Sequence, residues 1–287
     1  MAPAQLSECL HTLEQLIPGP PWELIVVDNG SSDETVTLAR GRSDCRVVVA
    51  SNGGYSSGIN IGVRETPDAD AWVVLNPDLT CAPKSIARMA LALVHPGVGI
   101  VGPRVLSPSG QLQPSMRREP TLLRNTGLGF TGLSVFSEYV SDESAYVTDQ
   151  TADWLLGAAL MFSKQCLDAV GAWDESFFLY SEETDFCLKA RDRGFASQYV
   201  GDAVVTHWGG GSGQSDAMHA MQILNRVRLY TRSHSLPAAF AYYLLTVCSE
   251  VSWWLRGASK SRAALPALIR PSRRPPELGC GSRLLPR

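Results

Sequence analysis

Five stretches of this chain carry residue types and spacings that could do chemistry. Asn76-Pro77-Asp78 closes the apolar run Ala71-Trp72-Val73-Val74-Leu75. Proline removes a ladder donor and holds the preceding residue extended, so the strand should stop there and hold Asp78 on a stiff turn. Open α/β sheets bind ligands at that end of their strands. Asp28-Asn29-Gly30-Ser31-Ser32-Asp33 ends an earlier strand in the same way. A carboxylate so placed can accept from a base imide or a ribose hydroxyl, or ligate a hard cation. If the two strands are near neighbours, Asp28 and Asp78 project at one rim. The plain alternative for each is a turn, with a helix N-cap after the first.

The segment from Asn52 to Gly62 holds glycines at 53, 54, 58 and 62. Such glycines let backbone N–H groups approach a phosphate or sugar. The spacing is neither a Walker A loop nor G-x-G-x-x-G, and a flexible surface loop explains it equally well. The run from Trp173 to Asp185 places Asp174, Glu175, Glu182, Glu183 and Asp185 among Trp173, Phe177, Phe178, Leu179 and Tyr180. Ser181 reads as an N-cap, which puts Glu182 and Glu183 in a first helical turn. The helix dipole lowers their proton affinity there, while mutual repulsion and aromatic burial raise it. A base working near neutrality could result. Ordinary acid enrichment at helix starts explains a glutamate but not the aromatics. Last, His207 precedes Trp208 and a glycine run. A histidine at a strand end can ligate a metal through a neutral ring nitrogen, though a lone histidine is commonly structural.

The elements that must position these groups alternate. Helical spacing at Leu6, Leu10, Leu13 and Leu16 predicts a helix over residues 5–16, ended by the prolines from 18 to 21. Strands are expected over 23–27, 46–50, 71–78, 98–105 and 197–206. Helices are expected over 34–40, 83–94, 164–170, 181–193, 216–232 and 236–256. Residues 107–150 read as loops around the site, and 154–162 as a buried apolar segment. Alternation of this kind predicts an α/β fold with a mostly parallel sheet and helices on both faces. The unbroken apolar run at 71–75 suits a strand covered on both sides.

The chain's 287 residues, 45% hydrophobic and 18% charged, suffice for one large α/β domain with additions. A net charge of -3 argues against nucleic acid as a partner. Seven scattered cysteines without a C-x-x-C pair fit reduced thiols in the cytoplasm. The first residues show neither a basic region nor an apolar core of a secretory signal.

Taken in order, six motifs resemble those of the family 2 glycosyltransferases with the GT-A fold, above all the rhamnosyltransferase-like bacterial branch. They are Val27-Asp28-Asn29-Gly30-Ser31-Ser32-Asp33, Asn52-x-Gly54-Tyr55-x-x-Gly58-x-Asn60-x-Gly62, Leu75-Asn76-Pro77-Asp78, Asp153-Trp154-x-x-Gly157-Ala158, Phe177-Phe178-x-Tyr180-x-Glu182-Glu183-x-Asp185 and His207-x-x-Gly210. They span residues from about 20 to 215. The resemblance implies transfer of a sugar, with inversion, from a nucleotide diphosphate donor such as dTDP-rhamnose. The acceptor would be a saccharide or polyprenyl-linked sugar of envelope polysaccharide. By the same resemblance Glu183 is the catalytic base, with Glu182 beside it. Asp28, Asn29, Asn52, Gly54, Gly58, Asn60 and Asn76 would bind the donor. Asp153, Trp154 and Tyr180 would bind the acceptor, and Asp78 with His207 would hold Mg²⁺ or Mn²⁺. One departure stands out. Family members usually begin with an apolar strand, central in the sheet and forming a wall of the nucleotide pocket, whereas here a helix opens the sequence at Pro3.

The organisation expected is a GT-A domain over residues 1–215, N-terminally short, a helical extension over 216–256 and a disordered basic, proline-rich tail over 257–287. The aromatic run at 236–255 fits an amphipathic helix lying on the inner membrane face, or one packed on the domain. Two other readings compete with transfer. A sugar nucleotidyltransferase would want a basic glycine-rich loop near the N-terminus, which is missing. An inactive, carbohydrate-binding remnant is suggested by the absent strand.

Overall fold

The computed structural model describes residues 3–16, 21–209, 215–274 and 284. Helix α1 (Pro3–Glu14) is followed by β1 (Leu24–Asp28), α2 (Thr35–Arg40), β2 (Cys45–Val49), α3 (Tyr55–Glu65) and β3 (Ala71–Leu75). Then come β4 (Leu79–Cys81), α4 (Ser85–Leu93), β5 (Val98–Leu106), β6 (Leu112–Gln113), β7 (Met116–Arg117), β8 (Gln150–Ala152), β9 (Trp154–Leu155) and β10 (Ala159–Ser163). Helices α5 (Lys164–Val170) and α6 (Glu182–Asp192) lead to the long strand β11 (Ala196–His207). Helices α7 (Asp216–Ser233), α8 (Leu236–Leu255) and α9 (Ser261–Ile269) follow. Most boundaries fall within two residues of the sequence expectation, because apolar periodicity and Pro/Gly punctuation are local signals.

The main sheet orders β3-β10-β5-β11-β4, with β6 on β5 and β8 on β11. β5 and β11 pair in parallel, while β10 runs antiparallel to both β3 and β5. The ladder is therefore more mixed than alternation predicts. The apolar segment at 154–162 had no helix or turn to announce an inverted central strand, and it supplies β10.

β1 and β2 pair with each other in parallel and form a separate sheet. Yet β1 and β3 lie between the same layers. Leu24 and Val26 of β1 and Leu75 of β3 all pack on the cluster built around Leu6, Leu10 and Leu13 of α1. On the other side α3 meets both strands: Val27 lies against Gly62, and Trp72 and Val74 pack with Ile59 and Val63. Among the described residues each strand thus keeps one edge without a ladder partner, and all five residues of β3 are only half-buried. The expectation of a fully covered strand at 71–75 is corrected for that reason. A parallel strand between β1 and β3 would join the two sheets.

Two further expectations change. The glycine-rich 52–62 segment is not a loop beyond Gly54: it becomes α3, with Gly58 and Gly62 one turn apart on the face against Asn29 and Val27. Glycine inside a helix costs roughly 1 kcal/mol against alanine, and close approach to β1 is what it provides here. The tail expected to be disordered from 257 forms α9 instead. Its Ala264, Ala267 and Leu268 are buried against α7 and α8, so packing overrides composition. Residues 275–283 and 285–287 of that tail, like Gly210 and the prolines at 18 and 20, lie outside the described residues.

Candidate active site

The site gathers around one hydroxyl, that of Tyr55, the first residue of α3. Tyr55 Oη donates to the Gly157 carbonyl at 2.7 Å and lies 3.0 Å from Asn76 Oδ1. Burial drives the phenol well above its ordinary pKa, and the charges of Glu182, Glu183 and Asp78 push it the same way. Three carboxylates from two parts of the chain, the 182–183 pair and Asp78, are thus near enough for their charges to act on it.

Asp78 and His207 make one side. They sit at the joined ends of β4 and β11, where Leu79 pairs with His207. His207 Nε2 lies 3.2 Å from Asp78 Oδ1 and 3.5 Å from Asn76 Nδ2, and Nδ1 is 3.4 Å from Gln113 Oε1. Gln113 also donates to the His207 carbonyl at 2.9 Å, which fixes the strand end. Burial raises the Asp78 carboxyl, but the hydrogen bond and charge of His207 outweigh it and hold Asp78 below the usual carboxylate range. The pair offers one hard oxygen and one ring nitrogen. Among the described residues no group of three or more His, Cys, Asp or Glu could hold a metal ion. Such a donor set fits Mg²⁺ or Mn²⁺, which commonly take one or two protein ligands and complete their shell with phosphate oxygens and water.

Glu182 and Glu183 open α6 and make the other side. Burial raises both carboxyls; the neighbouring Glu183 charge raises Glu182 further. Arg117 and the Gly157 N–H act the other way on Glu183, favouring its anion. Glu183 packs on Gly157, where an added Cβ would sit 3.4 Å from its side chain. The Oε2 atom of each glutamate is sealed from solvent without a hydrogen-bond partner. Two adjacent carboxylates in a dry site titrate as a pair. Of the two, only Glu183 has the Arg117 charge favouring its anion, and that anion pushes the Glu182 carboxyl up further.

The backbone before α6 is unusual. Tyr180 and Ser181 both have positive φ, 68° and 77°. The expected Ser181 side-chain cap does not form, because the residue is left-handed and lacks the extended geometry an N-cap needs. Consecutive left-handed non-glycine residues cost energy and persist only where surroundings hold them, often at functional sites. Asn225 of α7 does this by donating to the carbonyls of Leu179 and Tyr180 at 2.9 and 3.3 Å.

The other sequence-selected residues divide. Asp28 is buried, and its carboxylate accepts from the N–H groups of Gly30 and Ser31 at 3.1 Å. Asn29 donates to the Gly54 carbonyl at 3.1 Å, and Asn52 accepts from the Gly54 N–H at 3.2 Å. Asn60 is buried and taken up by Trp173 and Glu175, donating to both at 2.9 Å, and it accepts from the Trp173 N–H. It pins α3 to the loop before α6. Gly58 lies against Asn29. Asp153 accepts from the Glu119 N–H at 2.7 Å, and Trp154 Nε1 donates to the Arg118 carbonyl at 3.0 Å, so both hold the 117–119 segment. Through that segment they position Arg117, which stacks 4.0 Å from the Tyr139 ring. Sequence reasoning did not single out Tyr55, Arg117 or Gln113. Tyr55 stood inside a quoted motif, but the partners that define it are 21 and 102 residues away.

Residues 2–145 match the family model described as glycosyl transferase family 2. The chain belongs to that family. It is 30% identical over 204 residues to the N-acetylglucosaminyl-diphospho-decaprenol L-rhamnosyltransferase of Mycobacterium tuberculosis, a match covering 65% of this chain and 66% of the relative, just under two thirds of it. It is 31% identical over 173 residues to the low-salt glycan biosynthesis hexosyltransferase Agl10 of Haloferax volcanii, covering 59% of this chain and 53% of that one. Among solved structures it resembles the Pyrobaculum calidifontis mannosyltransferase PcManGT in complex with GDP-Man and Mn²⁺, at TM-score 0.57 and 15% identity over 96% of this chain and 78% of that one. It also resembles S. aureus TarS 1–349 in complex with UDP-GlcNAc, at TM-score 0.53 and 12% identity over 95% and 78%. The family member thus has the GT-A architecture, with helices added at its C-terminal end.

The raised carboxyl of Glu182 has a measurable consequence. A carboxyl whose folded pKa is raised contributes stability that is complete below its unfolded pKa, about 4.3, and is lost as pH climbs through the folded value. Glutamine keeps the shape and escapes that loss. Glu182→Gln should therefore melt at a higher temperature than the parent at pH 8, with the difference vanishing near pH 4. Parallel melting profiles across that range would show that the Glu182 carboxyl is not so raised.

Proposed function

We propose that this family 2 glycosyltransferase inverts the anomeric centre of a hexose, with rhamnose the leading candidate, moving it from a nucleotide diphosphate to a saccharide or polyprenyl-linked acceptor. The observation that carries the reading is the Tyr55 hydroxyl, which bonds the Gly157 carbonyl, where Glu183 packs, and Asn76, itself 3.5 Å from His207. It sets a candidate proton acceptor and a candidate cation-binding pair on either side of one hydroxyl, as in-line displacement of a diphosphate requires. The name of the M. tuberculosis relative supports rhamnose and a polyprenyl-linked acceptor, and that of the H. volcanii relative supports hexose transfer.

In this mechanism Glu183 takes the acceptor hydroxyl's proton as that oxygen attacks the anomeric carbon. The new glycosidic bond forms as the bond to the diphosphate oxygen breaks and its electron pair leaves with the diphosphate. Asp78 and His207 would hold Mg²⁺ or Mn²⁺, which supplies neutralisation of the leaving charge. Asn76, held by Tyr55, is placed to hydrogen-bond the donor. Asp28, Asn29, Asn52 and Gly54 shape the nucleotide side at the end of β1. The Arg117 charge favours the Glu183 anion against the effect of burial, and Asp153, Trp154 and Tyr180 flank the acceptor side. We place the reaction in the cytoplasm, at the inner membrane face, which fits the free thiols of Cys9, Cys45, Cys81, Cys166, Cys187 and Cys248.

A screen of nucleotide sugars for thermal stabilisation and donor hydrolysis, with and without Mn²⁺, tests the reading. One donor should stabilise the protein in a metal-dependent way. Asp78→Ala should abolish the metal-dependent part, while equal donor affinity in all four combinations would refute the cation assignment. A second reading, a carbohydrate-binding remnant without transfer, is favoured by the open edges of β1 and β3 beside the nucleotide side. Absence of hydrolysis with every donor that binds would select it.

A further inference from the structure

Helix α8 is polar on its inner side and apolar on its outer one. Toward the protein it presents Tyr242, Thr246 and Glu250, all buried. Asn125 donates to Thr246 Oγ1 at 2.7 Å, and Glu250 Oε2 lies 3.2 Å from His219 Nε2. Outward it presents Phe240, Leu244, Cys248, Val251 and Leu255, all exposed. Those positions step by four, four, three and four residues, which is one straight stripe along a helix. A helix facing water has the opposite arrangement. Trp253 and Trp254 widen the stripe at its C-terminal end, 48% and 47% exposed.

A second element extends the same surface. The loop 127–136 reaches α8 where Gly127 lies against Ser249, and Arg256 sits 6.0 Å from the Phe130 ring and 5.5 Å from that of Trp253. Leu128, Phe130, Leu133 and Val135 of this loop are exposed, Phe130 by 74%. Contiguous apolar surface of that extent on a soluble chain marks a binding surface. Charge identifies what covers it. Residues 236–274 contain six Lys and Arg and a single acid, Glu250, which faces inward. Two copies meeting on this face would bring like charges together across the two-fold axis, whereas an anionic bilayer complements them. Among the described residues no helix is long and apolar enough to cross a membrane, so α8 would lie in the interface plane.

We propose that α8 and the loop 127–136 dock flat on an anionic lipid bilayer. Phe130, Trp253, Trp254 and Leu255 enter the boundary between headgroups and acyl chains, and Arg256, Arg262 and Arg270 lie over the lipid phosphates. Aromatic rings favour that boundary. Beneath α8, Asn225 of α7 grips the strained turn that precedes Glu182 and Glu183, so the docked helices also set the acceptor side of the site. This deepens the lipid-linked acceptor reading and rests on it only for the identity of the acceptor.

Flotation of the full chain tests the surface, with phosphatidylcholine vesicles and with vesicles of about one-third phosphatidylglycerol. The parent should float with the anionic vesicles. The exposed-residue variant F130S/W254S/L255S should partition at least about tenfold more weakly, with its melting temperature and donor hydrolysis retained. Arg262→Gln and Arg270→Gln should each weaken binding by roughly fivefold, and added salt should reduce those losses. A parent chain that does not float, or a triple variant that floats like the parent, would overturn the proposal. So would a parent dimer that the triple variant dissolves without any vesicle binding. Failure of the transfer reading would appear separately, as absent donor hydrolysis in vesicle-free solution.

Discussion

Glu183→Gln is expected to lower sugar transfer by about 10²–10⁴-fold, the range that a positioned general base contributes, and to leave donor affinity unchanged. Glutamine has nearly the same volume and can still accept the Gly157 N–H, but it cannot take a proton. The loss should therefore fall on turnover rather than on donor binding. Isothermal titration with the donor and single-turnover transfer to an acceptor separate the two quantities. Glu182→Gln is the informative control. Burial and the Glu183 charge push its carboxyl towards the neutral form, so the neutral amide should keep most of the activity. In the parent, activity should rise with pH through the raised pKa of Glu183, because the base must be ionised. Arg117→Met should move that rise to higher pH, since the guanidinium favours the anion. Near-parental turnover in Glu183→Gln would dismiss Glu183 as the base. Loss confined to Glu182→Gln would exchange the two roles.

Gly54→Ala is expected to destabilise the fold by about 3 kcal/mol or more and to cut turnover by roughly 10²-fold in whatever remains folded. Gly54 has φ of 92° and ψ of -178°, a conformation that essentially only glycine adopts. A Cβ there would lie 2.3 Å from the Phe178 carbonyl oxygen and 2.7 Å from its Cα, both backbone atoms that cannot swing aside. The Tyr55 N–H donates to that same carbonyl at 2.7 Å. Relieving the clash must break this bond and lift the start of α3 from the loop that leads to Glu182. Tyr55 would then lose its placement against Gly157 and Asn76, and the carboxylates would shift relative to the Asp78–His207 pair. Urea unfolding and turnover well below the melting temperature measure the two effects. Parental stability together with parental turnover would show that the contact between α3 and the 177–181 turn does not organise the site.

Both predictions rest on residues whose importance was unevenly legible. Glu183, Asp78 and His207 could be selected from the sequence because each falls in one of six motifs that occur in the family's order, although each alone has an ordinary structural explanation. Their immediate setting was also readable: Pro77 stops the strand, and the helix after Ser181 starts where expected. Gly54 could be noticed but not interpreted, since four glycines in eleven residues suit a phosphate loop, a flexible loop or a close-packed helix alike. Only the approach of Phe178, 124 residues further along the sequence, makes Gly54 irreplaceable. Asn60 shows the converse. Its place in a recognisable motif suggested a ligand contact, whereas its amide is committed to Trp173 and Glu175.

The sequence by itself determined the order and limits of most elements, the family and the candidate carboxylates, because periodicity, capping and proline act over a few residues. Tertiary structure alone decided that β10 inserts antiparallel between β3 and β5 and that β1 and β3 keep open edges. It alone joined Tyr55 to Asn76 and Gly157, gave Glu182 and Glu183 unequal surroundings, and turned the apolar side of α8 outward. Each of these depends on which distant segments share a layer. Burial, charge proximity and edge pairing are properties of neighbours in space, and local residue patterns carry no term for them.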